Sequence, residues 1–245
     1  MMRSFSSPVA CRTLALVLVV GVSLVADAAR ADAVIDNFTN GQGLSSGVGG
    51  GAFGPLNSTV GGGGILGGSR TMTLSGNAFA NQTVSASVGS GFADYQSGSR
   101  SSGTNSLIYD GAGSGLGGLL AMTAFIDVSV NAFNAGSTSS TLSVAVDDGS
   151  GPVTRSVILG GSTLIPQVFS FDFTAAGINF NSVNSVTLTL NSTGANGADI
   201  TLNGFVARMT AIPEPAAVAV WSVLGAVGLV AGRKLRRSRV AVRQR

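Results

Sequence analysis

The chain has 245 residues, of which 36 are glycine, one is cysteine and none is histidine. Fourteen Lys and Arg against eleven Asp and Glu give a net charge of +3, a balance that ordinarily points to nucleic acid. Here it does not, because the positive charge is confined to the two ends: three arginines precede residue 33 and seven basic residues follow Gly232. Between residues 34 and 211, Arg70, Arg100, Arg155 and Arg208 stand against eight aspartates, which leaves the middle of the chain at −4. That middle has no Cys, His or Glu, which excludes thiol chemistry, Cys/His zinc sites and a histidine-assisted nucleophile.

Residues 1–33 read as a secretory signal peptide. Arg3 and Arg12 supply the positive n-region, and residues 14–25 are an apolar run of 12. Such a run is too short for a ~30 Å hydrocarbon core. Ala31-Asp32-Ala33 offers a cleavage signal, with Ala29-Arg30-Ala31 and Ala26-Asp27-Ala28 as alternatives. Cys11 precedes the apolar run, so it is not placed for a lipid anchor.

Residues 34–38 read as a first strand. Residues 40–69, with glycine runs at 49–51 and 61–64, are expected to be long loops with one or two weak strands, because ordering glycine costs the most backbone entropy. Alternation then becomes regular. Strands are expected at 70–74, 83–88, 105–109, 119–133, 142–146, 153–159, 169–173 and 186–190, with a last one over 200–207. Apolar residues alternate with Ser, Thr and Asp along them, as in Phe169, Phe171 and Phe173 against Ser170 and Asp172. Period-two alternation between turn residues marks antiparallel strands covered on one face. The fold class is therefore all-β, an antiparallel β-sandwich of jelly-roll-like type over residues 34–209. A glycine-rich β-solenoid is the competing fold, but no fixed repeat supports it.

Few motifs carry chemistry. Gly43-Leu44-Ser45-Ser46-Gly47 has the nucleophile-elbow pattern but is expected in a glycine-rich loop, not between a buried strand and a helix, and there is no histidine to act as its base. Gly113-Ser114-Gly115-Leu116-Gly117-Gly118 contains a dinucleotide-type string, yet strand-like alternation follows where a helix is required. Asp147 and Asp148 are adjacent on a turn and diverge, unlike the separated pair of a glycoside hydrolase. The middle of the chain is accordingly read as non-catalytic, with no cofactor beyond a structural calcium. Asp36 and Asp199, on first and last strands that pair in a jelly roll, are the candidate calcium ligands; Asp147, Asp148 and Gly149 are a second candidate.

The last 34 residues form a third region. Pro213-Glu214-Pro215 holds the only glutamate. Residues 216–232 are 17 uncharged residues, about 25 Å as a helix. Arg233, Lys234, Arg236, Arg237, Arg239, Arg243 and Arg245 follow. The positive-inside rule keeps that tail cytoplasmic and puts the sandwich outside. The expected organisation is thus a signal helix over 1–33, the sandwich over 34–209, and a segment over 210–245 containing a transmembrane helix.

Pro213-Glu214-Pro215, a short apolar span and an arginine cluster together resemble a PEP-CTERM sorting domain. The resemblance covers the C-terminal segment alone. It implies a bacterial exported protein handled by an exosortase, with processing near the motif and an association with extracellular polysaccharide and biofilm matrix. Alanine follows the motif where serine or threonine is common, and the basic tail is longer than usual. The order of features in the sandwich loosely resembles galactose-binding-like modules, which open on an Asp-x-Phe strand, here Asp36-Asn37-Phe38. They close on a strand with an acidic residue, here Ala198-Asp199-Ile200-Thr201-Leu202. The leading expectation is a non-catalytic surface or matrix protein. The alternative is a glycan-binding module for the cell's own polysaccharide, and a glycoside-processing enzyme stands last. Exosortase, the membrane and extracellular polysaccharide are the expected partners, and nucleic acid is not one.

Overall fold

A computed structural model describes residues 32–121 and 123–209. The expected signal helix and the expected transmembrane segment with its flanking motifs lie outside the described residues. Among the described residues, no helix is long and apolar enough to cross a membrane.

Among the described residues the fold is antiparallel and all-β, with two three-residue 3-10 turns as the only helical elements. Its strands are β1 (Ala33–Asp36), β2 (Gln42–Ser45), β3 (Gly51–Gly61), β4 (Ser69–Ala78), β5 (Val84–Gly89), β6 (Phe92–Ser97), β7 (Ser102–Tyr109), β8 (Thr123–Asp147), β9 (Pro152–Thr163), β10 (Gln167–Asp172), β11 (Ser185–Asn191) and β12 (Asp199–Met209). The glycine-rich stretch, expected as long loops with one or two weak strands, carries two strands, β2 and β3, and the correction concerns only β3, which is eleven residues long rather than weak. Ladder bonds along Asn57–Gly61 join β3 to β4, and such bonds do not need a side chain at every position.

A second correction concerns the middle of the chain. The segments expected as two strands, 119–133 and 142–146, belong from Thr123 onward to one 25-residue strand, β8, while Gly118–Leu120 form a 3-10 turn instead of the expected strand start. Its first half pairs with β12 and β10, and its second half pairs with β11 and β9. The chain turns the corner near Gly136, whose φ of +87° is left-handed, and a Cβ there would sit 2.7 Å from the Asn196 carbonyl oxygen. β8 is therefore shared by both layers. The front layer runs β2-β5-β6-β12-β8-β10, with β1 also on β12; the back layer runs β3-β4-β7-β11-β8-β9.

Alternation decides what lies between the layers. From the back come Met72 and Leu74, Leu107 and Tyr109, Leu142, Val144 and Val146, and Val186, Leu188 and Leu190. From the front come Val84 and Ala86, Ile126, Val128 and Val130, and Ile200, Leu202 and Phe205. Tyr109 and Phe205 meet across the gap with ring centroids 5.6 Å apart. Each large side chain here is worth about 2–5 kcal/mol against alanine.

Candidate functional site

The expected calcium pair is not brought together. β1 meets β12 at Asp36 opposite Phe205, six residues from Asp199, which is about 20 Å along a strand. Asp36 is wholly buried and its oxygens are occupied. Oδ1 accepts the Phe38 N–H at 2.7 Å, and Oδ2 accepts from Arg70 Nη1 at 2.5 Å and from the Tyr109 hydroxyl at 2.9 Å. Arg70 is wholly buried too; its Nε donates to Gln42 Oε1 and its Nη2 to the Asn40 carbonyl. Burial first, and the Asp36 charge second, hold the Tyr109 hydroxyl well above the usual tyrosine range. Sequence reading placed Arg70 only as a strand start. The available signal was parity, because Arg70 shares the inward side of β4 with Met72 and Leu74.

Asp147 and Asp148 serve their turn. Asp147 accepts the Gly149 N–H, while Asp148 accepts the Ser150 N–H and hydroxyl and, on its other oxygen, the Asn179 N–H. The Ser150 and Asn179 donors lower the Asp148 carboxyl to about 2. Among the described residues, no three His, Cys, Asp or Glu side chains gather as they would around a metal ion.

Asp199 belongs instead to a polar patch on the outer face of the front layer. Residues directly opposite one another in antiparallel strands share a face. One rung of such partners is Ser45, Ser85, Gln96, Asp199 and Asn134. The next is Gly43, Ser87, Asp94, Thr201 and Ala132. Phe92 stands beyond Asp94 on the same side of β6, opposite Gly89, and its ring is 40% exposed. Five strands at ~4.8 Å spacing make this patch about 20 Å wide. The Thr201 hydroxyl donates to Asp94 at 2.7 Å. Partial burial, and then the Asp94 charge, raise the Asp199 carboxyl, while a Gln96 hydrogen bond lowers it. At the Ser45 end of the first rung the surface opens into a groove of about 240 Å³. Its walls are Ser46, the glycines at 47 and 49–51, Phe53 and Leu56.

The outer face of the back layer is different. Its central rung is Asn57, Thr73, Ser106, Thr189, Ser143 and Ser156, with hydroxyl–hydroxyl hydrogen bonds of 3.0 Å at Ser106–Thr189 and at Ser143–Ser156. This rung carries no charge and no ring. The front patch, by contrast, combines carboxylates, amides, hydroxyls and one exposed aromatic. The sequence marks Asp199 but not its neighbours Asp94 and Phe92, because β6 contains no β-branched residue to signal a strand.

No family model matches the chain, and no curated protein matches it. Solved structures do. The family 11 carbohydrate-binding module of a cellulosomal cellulase of Clostridium thermocellum is 11% identical, with a TM-score of 0.35, over 73% of this chain and 95% of that one. The Clostridium thermocellum family 11 module in complex with a β-1,3-1,4-mixed-linked tetrasaccharide is 11% identical at a TM-score of 0.36, over 74% and 98%. The enzymatically active domain of tailspike protein 4 of bacteriophage CBA120 is 9% identical at 0.33, over 71% of this chain and 20% of that one.

Proposed function

We propose that this protein is an exported, non-catalytic β-sandwich whose front face binds extracellular polysaccharide. The observation that carries the reading is the alignment of Phe92, Asp94 and Gln96 beside Thr201, Asp199 and Asn134. An aromatic ring covers the apolar face of a sugar, carboxylates accept from neighbouring hydroxyls, and amides donate and accept at once. A patch about 20 Å wide has room for several sugar units. In this reading Asp94 and Asp199 accept hydrogen bonds from sugar hydroxyls on an open sheet face, and neither is given a hydrolytic role.

Delivery is the second part of the proposal. The order of Pro213-Glu214-Pro215, an apolar span and a basic cluster supports sorting by an exosortase from a transient membrane anchor. Two prolines favour an extended peptide suited to a processing cleft. Glu214 is then the single charge at the membrane edge, and Arg233, Lys234, Arg236, Arg237 and Arg239 hold the tail in the cytoplasm. The mature protein resides at the cell surface or in the matrix.

A glycan array probed with residues 32–209 tests the binding reading. Retention of one polysaccharide class, weakened about tenfold or more by Phe92→Ala and by Asp199→Asn, is expected. An array without signal sinks the glycan reading. Release of reducing ends from a bound glycan would instead make Asp94 and Asp199 a catalytic pair.

A further inference from the structure

The two lateral edges of the sandwich are treated differently. On one side, β2 is only four residues long, and β3 is broken by an irregularity between Phe53 and Leu56 that contains Pro55. Gln42 Nε2 donates to the Ser58 carbonyl at 2.6 Å and ties these two edge strands to each other. Short strands, proline and bulges are the usual protections of a sheet edge.

The other side lacks them. β9 pairs only with β8 among the described residues, and so does β10. β9 is 12 residues long, and one row of its backbone donors and acceptors faces outward. Of the five most exposed large apolar side chains among the described residues, four lie here: Leu164 at 85%, Ile158 and Ile165 at 72%, and Val168 at 62%. Between Asp148 and Asp172 the only charge is Arg155. Its Nε donates to the Asp172 carbonyl and its guanidinium lies 5.7 Å from the centre of the Phe173 ring, so it is drawn across the edge rather than out from it.

We propose that the β9–β10 edge is a homodimer interface, in which β9 of one molecule pairs antiparallel with β9 of a second copy. A bare strand edge is satisfied by another strand, and the identical edge of a second molecule supplies one without like-charge repulsion. The extent fits a small, reversible dimer: about 40 Å of β9 in one layer and about 20 Å of β10 in the other, together ~15 Å thick, bury on the order of 450 Å² per partner, near 900 Å² in total, at the low end of protein interfaces. With one open edge per molecule and the other protected, the contact is two-fold and closes, so it produces dimers rather than filaments. The proposal is independent of the glycan reading, because the front patch and this edge share no residue.

Sedimentation equilibrium of the full chain in mild detergent tests it, with Ile158→Lys and Ile165→Lys, singly and together. Both side chains are solvent-facing, so the folded sheet signal by circular dichroism is expected to stay unchanged. The wild type is expected to be dimeric, and the double variant to dissociate roughly tenfold or more readily, since it sets like charges against each other across the seam. A Cys11→Ser/Ile158→Cys variant is expected to form an intermolecular disulfide under mild oxidation. A monomeric wild type, or a dimer indifferent to both lysines, overturns the proposal. Cross-linking of position 158 to a different protein in place of a second copy overturns it as well.

Discussion

Arg70 and Asp36 form an ion pair with 2.5 Å between Nη1 and Oδ2, and both side chains are wholly shielded from solvent. The pair joins β1 to β4, and Tyr109 extends it to β7. Its value is asymmetric. Two charges removed from water gain little over a well-packed apolar pair, but one left alone is costly. Asp36→Ala is expected to destabilise the sandwich by about 3–5 kcal/mol, since it strands the Arg70 guanidinium. Tyr109→Phe is expected to cost about 1–3 kcal/mol. Chemical denaturation checks both, and the Asp36→Ala loss is expected to be the same in calcium and in chelator. A calcium-dependent loss would return Asp36 to the role of a metal ligand.

The chain has two tyrosines, Tyr95 and Tyr109, and burial is the leading cause of a raised hydroxyl pKa in each. A group that holds its proton more tightly when folded adds stability below its unfolded pKa, and that contribution fades as pH rises through the folded one. Alkaline stability is thus expected to fall from roughly pH 10 upward. Tyrosinate absorbance is expected to appear in step with loss of the sheet signal. Tyrosinate formed at full ellipticity would show that these hydroxyls are accessible in the folded state.

Sorting is expected to depend on Glu214, the one charge of its motif. In the native host Glu214→Ala should leave the longer precursor on an immunoblot, while the wild type converts to the shorter form. Equal conversion of the two forms would remove Glu214 from recognition.

The amino terminus is expected at Asp32 or earlier after export. Ala33 pairs with Ala207 in β1, and Asp32 Oδ1 accepts the Met209 N–H at 3.4 Å. A cut after Ala31 leaves both contacts in place, whereas a cut after Ala33 removes both. Mass spectrometry of the exported protein decides the matter, and a terminus at Val34 would contradict this.

The strand class was legible in the sequence because a side chain's face follows from position parity alone. Val186, Leu188 and Leu190 against Thr187 and Thr189 state one buried and one outer face without reference to the rest of the fold. Charge segregation was equally plain, since it reads directly from the positions of arginine and aspartate. Pairing was not legible. The corner in β8 depends on Gly136 fitting beneath the Asn196 carbonyl, and β3 depends on a ladder to β4 that its glycines do not announce. Asp36 and Asp199 looked like partners because both lie on terminal strands, yet register separates them by six residues. Register also sets Asp199 beside Gln96, with Asp94 and Phe92 along the same face, and it turns Asp36 inward to Arg70. Local pattern determined which residues face the core. Which polar groups became neighbours was decided only when β6, β8 and β12 were laid side by side, since a shift of one residue would have sent each to the opposite face.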